Sequence, residues 1–182
     1  MKTIHINEQF KEDWNRVLNH IANLFYEDSV IQFTKDGANM SISFEHGIAD
    51  DYTISTAAKL IVDGQEFTSS YSIGYATEGT EKEQSIRMKR ALSHVMLDVL
   101  EQYTGMTQQW GILTGVRPTK LYHKFRKEGL SEEQIFEKLK TDFRLSDLKI
   151  NLLKEIVARQ LHVIPDLDEL GREISIYIGV PF

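Results

Sequence analysis

The stretch from Trp110 to Leu121 divides this chain into two kinds of sequence. Before it, short β-rich runs alternate with two helical patterns. After it, almost every residue falls into a helical period. Within the stretch, Gly111 and Gly115 permit backbone conformations and close approaches that other residues resist. Arg117 stands before Pro118, and a residue in that position is pushed out of the α region. Pro118 in turn suits the first position of a helix, where its missing N–H would have gone unpaired. The expected local structure is a glycine-containing loop running into a helix start, with Arg117 just outside and Lys120 in the first turn. Free N–H groups and the partial positive charge of a helix N-terminus favour anions. Two cations beside them make Arg117 and Lys120 candidates for gripping a carboxylate or phosphate. The structural alternative is a tight turn in which Arg117 pairs with an acidic neighbour or caps a carbonyl.

Upstream, Thr3–Ile6 alternates like a short strand. A helix over about Glu8–Tyr26 then presents Phe10, Trp14, Val17, Leu18, Ile21, Leu24 and Phe25 on one face. Val30–Thr34 and Met40–Phe44 read as strands joined through the Asp36-Gly37 turn signal. Tyr52–Val62 and Glu66–Ala76 read as a hairpin around Asp63-Gly64. The loop between the two pairs carries His46, Asp50 and Asp51, which read as a solvated turn and fall short of a metal-ligand set. Thr80 with Glu83 forms a capping box that opens a second long helix, with Gly105 as its stop. Its apolar face holds Met88, Leu92, Val95, Met96, Val99 and Tyr103. Arg87, Arg90 and His94 share another face by helical spacing. Arg87 and Arg90 could extend the basic group of Arg117 and Lys120 if this helix packs alongside. The other reading is a solvated basic face.

Downstream, helices are expected from Pro118 to about Lys127, from Ser131 (capping box with Gln134), and from Ser146 to about His162. In the last of these Leu148, Leu152, Leu153, Ile156, Val157 and Leu161 are expected to face inward. Pro165 ends it, and Asp166–Glu173 is an acidic linker. The final run to Phe182 is nearly continuously apolar, the mark of a strand covered on both faces. The expected fold class is α+β. Residues 1–105 form an antiparallel sheet covered by two helices, 106–165 a helical segment, and 166–182 a linker with one strand of a further domain.

A net charge of −6 argues against a general nucleic-acid or anionic-membrane binder. There is no cysteine, so these residues can form neither a disulfide nor a thiolate metal site. That absence is compatible with a reducing cytoplasm, the expected location. No run approaches the roughly 20 apolar residues of a membrane span, and the first residues lack the apolar core of a signal peptide.

Ile176–Phe182 resembles the opening strand of the radical S-adenosylmethionine enzymes related to oxygen-independent coproporphyrinogen III oxidase. In that family a three-cysteine motif holding a 4Fe–4S cluster follows the strand at once, and this sequence stops where the first cysteine would stand. Trp110–Leu121, Val157–Asp166 and Ser175–Phe182 together resemble the HemZ-type branch, and Ile21–Tyr26 does so more loosely. The resemblance implies an N-terminal accessory domain of a porphyrin- and haem-biosynthetic oxidoreductase, truncated before its radical barrel. The whole protein would bind the cluster and S-adenosylmethionine, accept electrons from a donor, and decarboxylate propionates of coproporphyrinogen III. Tyr177 matches the family tyrosine that contacts S-adenosylmethionine. Gly179 stands where the family's oxidases usually carry histidine, which keeps a haem or porphyrin carrier of the same ancestry in view. A stand-alone anion- or RNA-binding module built on Arg87, Arg90, Arg117 and Lys120 is the third alternative. These 182 residues alone are expected to hold no cofactor and to catalyse nothing.

Overall fold

A computed structural model describes residues 2–114 and 117–163. Gly115, the linker after Pro165, the terminal strand and Tyr177 lie outside the described residues.

The fold is α+β, with five helices and a five-stranded, mostly antiparallel sheet among the described residues. The strands are β1 (Lys2–Ile6), β2 (Ser29–Gln32), β3 (Met40–Ile48), β4 (Ile54–Val62) and β5 (Gln65–Ile73), in the spatial order β2-β1-β3-β4-β5. β3, β4 and β5 form an antiparallel meander. The β4–β5 turn follows the sequence signal: Asp63 and Gly64 take φ of 52° and 76°, the pair of positive values that a two-residue hairpin of this twist requires.

The Asp36-Gly37 signal misleads. Gly37 does turn, at φ 70°, but β2 and β3 are not a hairpin. β1 lies between them and pairs parallel with both. The reason is burial. Ile4, His5 and Ile6 are all buried, which suits a strand covered on both sides, whereas the four-residue β2 leaves Val30 exposed and suits an edge. The Asn39 side chain accepts from Thr3 N–H at 2.8 Å and the Asn39 N–H donates to Thr3 O at 2.9 Å, holding the crossing loop to β1. The sheet is therefore mixed where it was expected to be antiparallel.

Alternation sets the two faces. Met40, Ile42 and Phe44 of β3 and Ile54, Ala58, Leu60 and Val62 of β4 are buried against the helices. Helix α1 (Glu12–Asn23) packs on β2 and on helix α2 (Glu81–Thr104), which lies over β4 and β5. α1 is shorter than its apolar pattern. Glu8 is drawn to His46 at 3.3 Å, and Phe10 is buried edge-on against Phe44, so both sit in the approach to the helix. α2 has the expected ends: Glu83 N–H donates to Thr80 Oγ1 at 3.3 Å, Thr80 N–H donates to Glu83 Oε2 at 2.7 Å, and Gly105 closes the helix at φ 69°. Its middle, Ala91 to Leu97, is buried all round.

Helices α3 (Pro118–Lys127), α4 (Glu132–Phe143) and α5 (Asp147–Val163) enclose a second apolar cluster of Tyr122, Phe125, Ile135, Leu139, Leu145, Ile150, Leu153 and Val157. Leu148 and Leu152, expected inward, are 66% and 39% exposed. The buried stripe of α5 runs through Ile150, Leu153 and Val157, and residues two positions away from it fall on the opposite side. Phe143 packs against both clusters.

Candidate functional site

The start of α3 is built as its sequence requires. Arg117 takes an extended conformation (φ −73°, ψ 111°) before Pro118, which fills the first turn. The Arg117 side chain makes no capping bond. Arg117 and Lys120 are both exposed, and neither has an ion-pair partner among the described residues. The rest of α3 is basic as well, with Lys124, Arg126 and Lys127 in its last turn. One side of the helix is held by His123, whose Nε2 lies 2.9 Å from the Gln160 side chain of α5.

Arg87 and Arg90 are used elsewhere. Arg87 donates to the carbonyls of Thr77 and Glu78 at 2.8 and 3.0 Å and stacks 4.0 Å from the Tyr75 ring centre, which fixes the loop leading into α2. Arg90 donates to Asp142 at 3.1 Å and lies 4.6 Å from the Phe143 ring centre. Lys138 donates to the same carboxylate at 2.9 Å. Arg90 is therefore neutralised in a corner between α2 and α4, where Asp142 is only 14% exposed.

That corner holds the charged residues that sequence reasoning missed. Arg144, at φ 58°, ends α4 in the left-handed conformation. Its guanidinium pairs with Asp98, reaches Glu101 at 2.8 Å and donates to the His94 carbonyl at 3.2 Å. His94 Nε2 donates to the Asp142 carbonyl at 2.9 Å, and its ring stacks on Tyr71 at 4.2 Å. Burial lowers the His94 pKa, opposed by that hydrogen bond. Burial, then the Asp142 charge, raises that of Tyr71. Gly111, at φ 54°, completes the corner: a Cβ there would lie well inside 3.0 Å of the Phe143 and Arg144 carbonyls. Ile112 N–H donates to Phe143 O, and Ser146 N–H to Gln109 O, each at 3.0 Å. One signal did exist: Ser146 marks a helix start so soon after Phe143 that a residue between them must reverse the chain.

Chemically, the corner is an ion-pair network with its charges matched, which serves architecture. The α3 start keeps two cations open to solvent. His46 is turned to Glu8, and Asp51 accepts the Thr53 N–H, which lowers its pKa; no group of three or more metal-ligating side chains occurs among the described residues. The residues present do not fit an iron–sulfur cluster, since the chain has no thiolate to hold iron. No helix among the described residues is long and apolar enough to cross a membrane.

No family model matches the chain, and no solved structure matches it. It is 42% identical over 170 residues to the oxygen-independent coproporphyrinogen-III oxidase-like protein HemZ of Bacillus subtilis (strain 168). The alignment takes in 92% of this chain and 33% of that protein, so the chain spans about a third of its relative's length. Over nearly its whole length, then, the chain is a HemZ-like sequence, related to the coproporphyrinogen-III oxidase-like proteins.

Proposed function

We propose that this chain is the N-terminal accessory domain of a radical S-adenosylmethionine protein of haem biosynthesis, of the coproporphyrinogen III oxidase type. The observation that carries the reading is the 42% identity extending over 92% of the chain to a protein bearing that name and about three times as long. The terminal resemblance of Ile176–Phe182 to the first strand of the radical barrel supports it. In this reading the 4Fe–4S cluster and S-adenosylmethionine are held by residues beyond Phe182, with Tyr177 beside them. The described residues supply a scaffold and, at Arg117 and Lys120, cations for the carboxylates of a porphyrinogen. The arginine can hold one carboxylate through two parallel hydrogen bonds. A cytoplasmic location and a separate electron donor belong to the same proposal.

The test is made on the full-length protein, reconstituted anaerobically with iron and sulfide and supplied with a low-potential reductant to start the radical and an acceptor for the electron released on decarboxylation. Consumption of S-adenosylmethionine with loss of carbon dioxide from coproporphyrinogen III is the expected result. Gly179, where oxidases carry histidine, favours a second reading, a porphyrin or haem carrier. Stoichiometric porphyrin binding without decarboxylation would establish that reading and refute the first.

A further inference from the structure

β5 ends the sheet: among the described residues it pairs with β4 and with no strand beyond it. Its outward-facing residues follow from two contacts. Lys59, opposite Thr68, turns its carbonyl toward β3, where Ser43 Oγ donates to it at 3.4 Å. Thr68 therefore turns its own backbone away from β4, and its carbonyl accepts from Gln102 Nε2 of α2 at 3.1 Å. In an antiparallel strand the N–H and C=O of one residue point the same way and alternate with those of the next. Glu66, Thr68, Ser70 and Ser72 thus present their main-chain groups outward along a nine-residue strand, and a partner strand would take the Thr68 carbonyl from Gln102.

Exposed edges of this length are ordinarily blunted by lysine, proline or a bulge. β5 has no lysine and no proline, and its pairing with β4 runs without a break from Gln65 to Ile73. The opposite edge, β2, is only four residues long. The sequence of β5 also complements itself. With two copies antiparallel about Ser69, every outward residue meets an outward residue: Thr68 faces Ser70, and Glu66 faces Ser72. Phe67 then lies opposite Tyr71, an aromatic pair of the kind that stabilises strand pairing. No like charges meet, because Glu66 is the strand's one ionisable carboxylate and Lys59 of β4 holds it at 2.7 Å.

We propose that β5 is a self-association edge, through which a second copy of this chain extends the sheet across a twofold axis. The occupant is a second copy because the one register that matches all four outward residues also separates the charges and pairs the aromatic rings.

The experiment is sedimentation velocity of the whole chain from about 1 to 200 µM, with amide exchange measured across the same range. A dimer is expected whose formation protects the Thr68, Ser70 and Ser72 amides as concentration rises, while Phe67, Ser69 and Tyr71 are protected throughout. Ser70→Pro removes one outward N–H, and Ser70→Lys leaves the backbone intact while placing two lysines beside the axis. Each should weaken association about tenfold or more. The lysine variant should melt with the unmodified chain, which separates lost pairing from lost folding. A monomer at every concentration would overturn the proposal. So would a dimer untouched by Ser70→Lys, or outward amides whose protection does not depend on concentration.

Discussion

Replacing Gly111 by alanine tests how the helical cluster is joined to the sheet. At φ 54° an alanine is strained by about 1 kcal/mol relative to glycine. The added Cβ also meets the Phe143 and Arg144 carbonyls, which belong to backbone and cannot swing aside as a side chain would. The end of α4 has to retreat. The hydrogen bonds Ile112 N–H to Phe143 O and Ser146 N–H to Gln109 O lengthen or break, at about 1 kcal/mol each. The expected loss is about 3 kcal/mol, which in a chain of this size lowers the melting temperature by roughly 6–12 °C. The assay is thermal or urea unfolding in a Trp14→Phe background. That background leaves Trp110, which packs against the α3–α5 cluster, as the reporter. A melting temperature within about 2 °C of the parent would refute the reasoning, because the corner would then have room that its geometry denies.

The remaining predictions concern charge and burial. His94 is held below its ordinary pKa, so the unfolded chain binds the extra proton first; stability should fall as pH drops from about 7 toward 5, and His94→Gln should flatten that fall in pH-dependent melting. Tyr26 has its pKa raised to about 12 by burial and its hydroxyl finds no partner among the described residues, so Tyr26→Phe should melt at or above the parent temperature. Ionisation of Tyr26 is favoured on unfolding, so the parent should also lose stability as pH rises from about 10 to 12, a loss that ultraviolet titration would show reduced in the variant. Arg117→Ala should leave melting within about 1 °C while weakening porphyrin binding by the full-length protein; lower melting with unchanged affinity would remove it from the binding site. Arg90→Ala should do the reverse, destabilising by about 1–2 kcal/mol because the partly buried Asp142 keeps only Lys138 as its ion-pair partner among the described residues.

What was legible in the sequence was local. Thr80 with Glu83, Ser131 with Gln134 and the Asp63-Gly64 turn each draw on residues a few positions apart, and each forms as written. What was not legible depends on distant partners. Helical spacing correctly groups Arg87, Arg90 and His94 on α2. It cannot say that Asp142, 52 residues beyond Arg90, neutralises it, or that Arg87 is spent on the loop before its own helix. Arg144 carries no sign in its own residue type, because a left-handed residue is usually announced by glycine or asparagine; only the nearness of Ser146 to Phe143 points to a reversal there. The Asp36-Gly37 signal names a turn but not which strand lies across it. Only the burial of Ile4, His5 and Ile6 decides that β1 takes the place beside β3.

The central position of β1 bears on the order in which the chain assembles. Residues 40–73 contain a complete meander whose pairings are close in sequence, so they can form early. β1 leaves the ribosome before its partners, which lie about 27 and 36 residues downstream, and both pairings are parallel. It must wait, with Ile4 and Ile6 uncovered, until β2 and β3 have been made. Nucleation is thereby handed to the meander and α2, and closure of the sheet to its earliest residues. Removing the first six residues would take out a middle strand and leave β2 with nothing to pair with.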